Sequence, residues 1–323
     1  MHKLFLYAEA ALAPAVENSW TEALQILQPL IHAQPASGVQ DGLSGAAAAS
    51  ATVPDNIDQV VVLDEHGYNA LMESARAGGK LLAKHGPESF ASSEYASVYH
   101  PDDVLVSYDS KGAGLTVLSQ VQMKPLILDF ELVSYRQRLL RGGRQKEAVA
   151  RAVMSGLEDG ACVFDATAGL GRESMILAHA GAAVTAFERQ LPVWLILRDA
   201  LNRAYGSRYF PFALPVLHSR GTIKDYAGDL RPEVIYYDPM FPERGGSAQV
   251  KKDMFVFQQV IGEDRDTELF LEAALNMAVR RVVVKRPSYA PPVTAAGIER
   301  SYFVDGGQCR FDCYSISELS AQQ

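Results

Sequence analysis

The amino-acid sequence predicts an α/β fold with a mostly parallel sheet, and three observations support this class. Residues 161–165 form a short apolar run that suits a buried strand, and a loop with Gly169 and Gly171 follows it at once. Helix-forming residues then lead to a second apolar run that ends at Glu188. A further apolar run ends at Asp238. The order of strand, glycine loop, helix and strand predicts half of a nucleotide-binding sheet.

The chain is long enough for two folded domains. Its 323 residues, of which 48% are hydrophobic, predict a smaller N-terminal α/β domain over residues 1–121 and a second domain over residues 122–323. In the first domain we expect a strand and a helix before residue 33, a strand at 60–63, a helix at 68–84, and strands at 104–108 and 115–118. Residues 34–56 are rich in Ala, Ser and Gly and predict a flexible loop, because they cannot bury enough apolar surface to offset the entropy of ordering.

The second domain continues as alternating helices and strands. Apolar periodicity predicts helices at 173–180, 192–205 and 264–280, and strands at 213–217, 234–237 and 281–285. Two β-rich stretches, 299–304 and 309–316, flank Asp305, Gly306 and Gly307, which is a strong hairpin signal. The sequence therefore predicts a parallel sheet that closes with a C-terminal antiparallel hairpin.

Acidic residues at the strand ends indicate a cofactor. Glu188 follows the glycine turn by about 20 residues, where an acid is placed to accept hydrogen bonds from two ribose hydroxyls. Dinucleotides and S-adenosylmethionine both use this arrangement. Asp165 before the loop suits a ligand with an ammonium and a sulfonium, whereas Ser174 replaces the third glycine that a pyrophosphate site requires. The loop therefore favours S-adenosylmethionine.

The stretch after the strand at 234–237 predicts the reaction. Asp238, Pro239 and Phe241 stand beyond the carboxyl end of that strand, where open parallel sheets bind their ligands. An exocyclic amine on a base is a poor nucleophile, since its lone pair is delocalised into the ring. The carboxylate of Asp238 and the carbonyl of Pro239 are suited to accept its two N–H bonds, and Phe241 offers a face on which the base can stack. The tetrapeptide at residues 238–241 predicts methyl transfer to a planar amino group.

A local run of positive charge lies near the start of the second predicted domain. The chain carries a net charge of −8, so a nucleic-acid partner requires a local basic patch. Within residues 136–151 only Glu147 opposes six basic residues, namely Arg136, Arg138, Arg141, Arg144, Lys146 and Arg151. Runs of this kind are ordinarily solvated, but this one directly precedes the cofactor strand and contains a glycine pair. Its position favours contacts with phosphate groups.

Other function classes find little support. Cys162, Cys309 and Cys313 have neither metal-ligand nor disulfide spacing, which predicts a reducing compartment and no metal. We find no export signal and no apolar run of about 18 residues, the length that a membrane helix needs. The sequence therefore predicts a cytoplasmic protein.

Several motifs together resemble the RsmJ family of bacterial 16S rRNA (guanine-N2) methyltransferases. The resemblance covers about residues 128–316, and its motifs occur in the order of the predicted strands. They are residues 142–144, 165–172, 188–189, 238–242, 250–252 with Met254, 282–287 and 289–292. The family has a Rossmann-like class I methyltransferase sheet, which is therefore the implied fold of the second domain.

The resemblance also implies S-adenosylmethionine as cofactor and 16S rRNA or the small ribosomal subunit as partner. The implied reaction is methylation of the N2 amino group of one guanine. The expected cofactor-binding residues are Asp165, Gly169, Gly171, Arg172, Glu173, Glu188, Arg189, Ser219, Arg220, Gly221 and Asp238. The expected catalytic residues are Asp238, Pro239 and Phe241. The expected RNA contacts are Arg141, Arg144, Lys251, Lys252, Lys285 and Arg286.

Three alternatives remain open from the residues alone. An NAD-dependent oxidoreductase would share the sheet, although Asp165, Ser174 and the tetrapeptide disfavour it. A methyltransferase with another planar acceptor, DNA adenine or protein glutamine, would share the tetrapeptide. A non-catalytic RNA-binding assembly factor would keep the sheet without the reaction.

Overall fold

The computed structural model describes residues 3–32, 57, 59–218, 221–240, 267–295 and 297–316. The predicted loop at 34–56 lies outside these residues, as do five predicted site residues, Ser219, Arg220, Phe241, Lys251 and Lys252. The described chain forms two compact units. The first contains the residues up to Leu128 together with Leu191–Arg203, and the second contains the remainder.

The secondary structure follows the predicted alternation of strands and helices. The strands are β1 (Lys3–Ala8), β2 (Gln59–Val62), β3 (Val104–Asp109), β4 (Gly112–Val117), β5 (Leu126–Ile127), β6 (Cys162–Asp165), β7 (Ala183–Ala186), β8 (Val216–Leu217), β9 (Val234–Tyr237), β10 (Arg281–Pro287), β11 (Tyr302–Asp305) and β12 (Cys309–Ser315). The α-helices are α1 (Pro14–His32), α2 (Glu65–Ala91), α3 (Val133–Arg141), α4 (Ala148–Met154), α5 (Arg172–His179), α6 (Leu191–Ala204) and α7 (Thr267–Met277). Single 3-10 turns span Glu94–Ser97, Leu118–Gln120 and Ile223–Asp225.

The first unit is built on a five-stranded mixed sheet in the order β2-β1-β3-β4-β5. β1 pairs in parallel with β2 and β3, while β4 pairs antiparallel with β3 and β5. Helix α2 extends beyond the predicted end at residue 84, because the chain resumes helical geometry after Gly86, whose φ of 81° interrupts the helix before Pro87. Since β5 belongs to this sheet, the unit reaches Leu128, and a boundary between folding domains at 121/122 stays a prediction.

Helix α6 belongs to the first unit, although it follows the glycine loop in sequence. Arg198 of this helix pairs with Glu22 of α1 at 2.8 Å. The next residue is Asp199, whose buried carboxylate accepts a hydrogen bond from the Ala113 amide at 2.9 Å and from Arg203 at 2.8 Å. These polar contacts tie α6 to the strands and helix of the first unit.

The second unit contains a seven-stranded sheet in the order β11-β12-β10-β9-β6-β7-β8. Neighbours from β10 to β8 are parallel, whereas β12 runs antiparallel to β10 and to β11. This topology confirms the predicted sheet with its C-terminal antiparallel hairpin. The predicted strand at 213–217 is shorter in the structure, where it is β8, and the helix predicted at 264–280 ends earlier, at Met277 of α7.

One face of this sheet carries an apolar core. Phe164, Ile235 and Val282 occupy neighbouring positions on β6, β9 and β10, and all three are fully buried. Helix α7 covers them with Phe270 and Leu271. Side chains alternate along strands, so Asp165, Tyr236 and Lys285 project from the opposite face. The parallel strands all end at the same edge of the sheet, which is where the predicted acids follow them.

Candidate active site

The loop between β6 and α5 takes the backbone geometry that its glycines allow. Gly169 has a φ of 53° and Gly171 a φ of 70°, both in the left-handed region that favours glycine. Gly171 caps the start of α5, whose first residue is Arg172. The sharp turn brings the loop backbone to the carboxyl edge of the sheet, as the sequence predicts.

Glu188 fixes this loop to the end of β7. Its carboxylate accepts a hydrogen bond from the Gly169 amide at 2.9 Å and from the Gln190 amide at 2.6 Å. The Gly221 amide donates to the Glu188 carbonyl at 3.2 Å, and Arg189 follows directly in sequence. The structure thus brings four predicted cofactor residues together at the edge of β7.

Asp165 is buried at the end of β6. Its carboxylate accepts hydrogen bonds from the Ser174 hydroxyl and from the Thr167 amide. Burial raises its pKa to about 7, because desolvation and the nearby carboxylates of Glu173 and Asp238 outweigh the two hydrogen bonds. Ser174, which departs from the dinucleotide pattern, therefore has a structural partner that the sequence analysis missed.

Asp238 lies directly after β9 and is held from two sides. Its backbone amide donates to Thr167 Oγ1 at 2.7 Å, which joins the end of β9 to the glycine loop. Its Oδ2 accepts a hydrogen bond from Lys285 Nζ at 2.7 Å, and the same ammonium lies 3.2 Å from Glu173 Oε1. About a third of the Asp238 side chain is exposed. Three elements, β9, β10 and α5, thus form one carboxylate–ammonium–carboxylate cluster.

The ammonium of Lys285 is the main addition to the predicted site. Burial alone would lower the pKa of Lys285, but Asp238 and Glu173 more than offset this, so the pKa is raised. Lys285 therefore stays charged throughout the physiological range and is not a proton acceptor. The sequence analysis had placed Lys285 with the RNA contacts. The alternation of side chains along β10 was the signal that could have placed it beside Asp238.

Two predicted RNA contacts have their guanidinium groups engaged within the protein. Arg286 is 6% exposed, and its Nε and Nη2 both donate to the Pro291 carbonyl at 3.1 and 2.9 Å. Arg144 donates to the carbonyls of Met154 and Leu157 and lies 3.3 Å from Asp159 Oδ1. Arg141, in contrast, ends α3 on an exposed surface.

Comparison with known proteins identifies the family. The family described as "Putative SAM-dependent methyltransferase" matches residues 97–316. Ribosomal RNA small subunit methyltransferase J of Edwardsiella ictaluri is 37% identical over 250 residues, which cover 74% of this chain and 98% of that protein. The protein of the same name from Marinobacter nauticus is 41% identical over 68% of this chain and 80% of its own length. The chain belongs to this methyltransferase family. The predicted family, enzyme class and cofactor are thereby confirmed.

A solved structure with the same fold supports the architecture of this methyltransferase. The crystal structure of the SAM-dependent methyltransferase NGO1261 from Neisseria gonorrhoeae aligns with a TM-score of 0.56 and 23% identity. The alignment covers 96% of this chain and 95% of that chain. The predicted fold class is therefore confirmed across both units.

The residues at the sheet edge of the methyltransferase fit S-adenosylmethionine. Asp165, Glu173 and Asp238 lie close enough to affect each other's charge, and Lys285 contacts two of them. Such an excess of carboxylates suits a ligand with a sulfonium and an ammonium, and it would repel a pyrophosphate. The Tyr236 hydroxyl, buried near the same acids, has no hydrogen-bond partner within the residues that the structure describes. Among those residues, no group of three or more His, Cys, Asp or Glu side chains has the arrangement of a metal site.

The helices of the methyltransferase give no sign of a membrane span. In the described ranges, none combines the length and the apolar character that crossing a bilayer requires.

Proposed function

We propose that this methyltransferase transfers a methyl group to the exocyclic N2 amino group of a guanine in 16S rRNA of the small ribosomal subunit, in the cytoplasm. The names of its curated relatives support an rRNA substrate of the small subunit. The observation that carries the proposal is the carboxylate of Asp238, which is held beside the glycine loop at the carboxyl edge of the sheet.

Asp238 orients the acceptor amine. Its carboxylate would accept one N–H bond of the guanine amino group, while the Pro239 carbonyl would accept the other. These two bonds turn the nitrogen lone pair out of the ring plane and toward the methyl donor. The negative carboxylate also stabilises the positive charge that develops on N2 as the sulfur–methyl bond breaks, and the N–H proton that N2 then loses would pass to this carboxylate or to water. Because positioning is the main catalytic effect, a small displacement of Asp238 carries a large cost.

Lys285 is proposed to be a positioning residue for Asp238. Its ammonium is hydrogen-bonded to Oδ2, which restrains the rotamer of the carboxylate. Glu173 restrains the ammonium from α5. The ion pair also keeps Asp238 ionised beside two other carboxyl groups, which the reaction requires.

The cofactor residues follow from the same geometry. S-adenosylmethionine supplies an activated methyl group on a positively charged sulfur. We assign the ribose hydroxyls to Glu188, and the loop backbone at Gly169 and Gly171 to close approach of the cofactor. Arg172, Glu173, Arg189 and Gly221 flank these positions.

The test is methyl transfer from labelled S-adenosylmethionine to small ribosomal subunits and to 16S rRNA that lack the modification. Wild type should label one site as N2-methylguanine. Asp238→Ala should lower the rate by about 10²-fold or more while it still binds cofactor and RNA. Label in DNA adenine or protein glutamine, with none in rRNA, would overturn the proposed acceptor. Equal labelling by Asp238→Ala would remove Asp238 from the mechanism, and RNA binding without any transfer would favour a non-catalytic assembly factor.

A further inference from the structure

The structure separates the basic run at 136–151 into two groups. Three of its cations do not line the concavity described below and donate to backbone carbonyls: Arg136 to Glu131, Arg144 to Met154 and Leu157, and Arg151 to Lys146 and Asp305. The other three, Arg138, Arg141 and Lys146, line a surface concavity of about 490 Å³. Their charge is therefore directed to one place on the surface.

The concavity is formed by one face of α3 and the turn that follows it. Ser134, Gln137, Arg138 and Arg141 line it from the helix, at spacings of three and four residues that share a face. Lys146 closes the far side, where its ammonium donates to the Arg141 carbonyl at 3.0 Å. The guanidinium groups of Arg138 and Arg141 make no hydrogen bond or ion pair with any residue in the described ranges.

The opposite side of α3 faces the active site. Leu139 is buried there, and the Tyr135 ring packs against Phe130 with centroids 5.5 Å apart. Burial raises the pKa of Tyr135, and the nearby carboxylate of Glu173 adds to this effect. Helix α3, which carries the basic concavity, also contacts α5. The first turn of α5 contains Glu173, which in turn contacts Lys285.

The chemistry of the concavity fits phosphate groups. Three cations surround it against the single carboxylate of Glu147 among its lining residues, on a chain whose net charge is −8. Guanidinium forks match phosphate oxygens, and the hydroxyl and amide of Ser134 and Gln137 can donate to the same group. We propose that this concavity binds backbone phosphates of the rRNA substrate outside the target nucleotide. The inference rests on the proposed function for the identity of the RNA.

The test compares two double variants with the same change of charge. Arg138→Gln/Arg141→Gln removes the two arginines but leaves Lys146 on its carbonyl. Arg76→Gln/Lys80→Gln, on the exposed face of α2 in the first unit, is the matched control. The Kd for 16S rRNA is measured against salt concentration, together with the Kd for S-adenosylmethionine and the transfer rate at saturating RNA.

We expect the concavity variant to weaken RNA binding on the order of tenfold and to reduce the salt slope by about 1 to 2. Its cofactor affinity and its transfer rate at saturating RNA should equal those of wild type, whereas the control should change none of these. A concavity variant that binds RNA as wild type does, or loses no more affinity than the control, overturns the inference. The inference is also overturned if inorganic phosphate, at constant ionic strength, protects Arg138 and Arg141 from chemical modification while RNA does not. That result would identify the concavity as a site for free anions.

The two proposals fail differently. If wild type methylates no rRNA, the proposed function falls, and the concavity is judged on the difference in RNA binding between the two variants. If wild type methylates rRNA and the KM for RNA is the same in the concavity variant, the inference about the concavity is overturned and the proposed function stands.

Discussion

Two adjacent cations on β10 face opposite sides of the sheet and have different partners. Lys285 projects to the α5 side, where it contacts Asp238 and Glu173 and stays partly exposed. Arg286 projects to the apolar-core side, where it is buried and bound to the Pro291 carbonyl. On that side Arg310 also donates to carbonyls of the loop after β10, those of Pro287, Ser288 and Ala290.

The two faces differ in how completely their charges are compensated. On the apolar-core side of β10, which also holds the loop after β10 and is called the loop side below, the buried carboxylate of Asp312 is bound by Arg300 at 2.6 Å and by Arg310 at 2.8 Å. On the α5 side, called the site side below, Asp165 is buried with a raised pKa, and the Tyr236 hydroxyl has no hydrogen-bond partner within the described part of the chain. The first face stabilises a loop, whereas the second keeps polar groups that a ligand can satisfy.

The largest effect on stability is expected on the loop side. Asp312→Ala should lower the free energy of unfolding by about 3–5 kcal/mol, because it leaves the buried Arg310 and the partly buried Arg300 without their counter-charge. Asp159→Ala is the matched control, since Asp159 pairs with Arg144 but is 83% exposed, and it should cost less than about 1 kcal/mol. Urea unfolding measures both. Equal losses would contradict the difference between the two faces.

On the site side, Lys285→Met should affect activity more than stability. We expect kcat/KM to fall by about 10- to 100-fold at neutral pH, since the position of Asp238 is no longer fixed. Without the ammonium, the carboxylates of Asp238 and Glu173 also repel each other, which adds to the displacement of Asp238. Steady-state transfer kinetics and urea unfolding measure the effects on activity and on stability.

Two further variants separate positioning from general damage at Lys285. Lys285→Arg should restore part of the rate, and Glu173→Gln added to Lys285→Met should also raise it, because that change removes the repulsion with Asp238. If neither variant transfers methyl groups faster than Lys285→Met, the cluster does not position Asp238.

The last effect concerns Asp165 and the pH dependence of stability. Its pKa of about 7 lies above the ordinary value of 3.8, so the folded protein retains a proton that the unfolded chain loses over this interval. The free energy of unfolding should therefore fall as pH rises from 4 to 7, by up to about 1.4 kcal/mol per pH unit from this group. Asp165→Asn should remove this contribution, while Asp159→Asn should not. The free energy of unfolding is plotted against pH from 4.5 to 7.5 for wild type and Asp165→Asn. Parallel plots would contradict the prediction.

The sequence predicted those features that depend on local pattern. Gly169 and Gly171 mark a turn that needs positive φ, and Glu188 and Asp238 stand at the ends of strands whose apolar runs are distinct. Strand ends in a parallel sheet meet at one edge, so the site could be assembled without coordinates.

Features that depend on tertiary partners were harder to predict. Lys285 and Arg286 are neighbours of equal charge, and only the pairing of β10 with β9 and β12 gives them different environments. Arg144 looked equivalent to Arg141, yet it binds the carbonyls at the end of α4, which lie 10 and 13 residues away. The place of α6 in the first unit was also missed, because an amphipathic pattern shows that a face is buried but not which sheet covers it.

The Glu173–Lys285–Asp238 cluster also has a consequence for folding. Lys285 is separated by 47 residues from Asp238 and by 112 residues from Glu173, so both contacts close long loops. During synthesis the two carboxylates emerge well before their shared cation. The strand that carries Lys285 joins the sheet between β9 and β12, and a nascent chain that ends before β10 has the glycine loop and Asp238 but lacks the cation that holds them. We therefore expect Asp238 to reach its final position late, after β10 has left the ribosome.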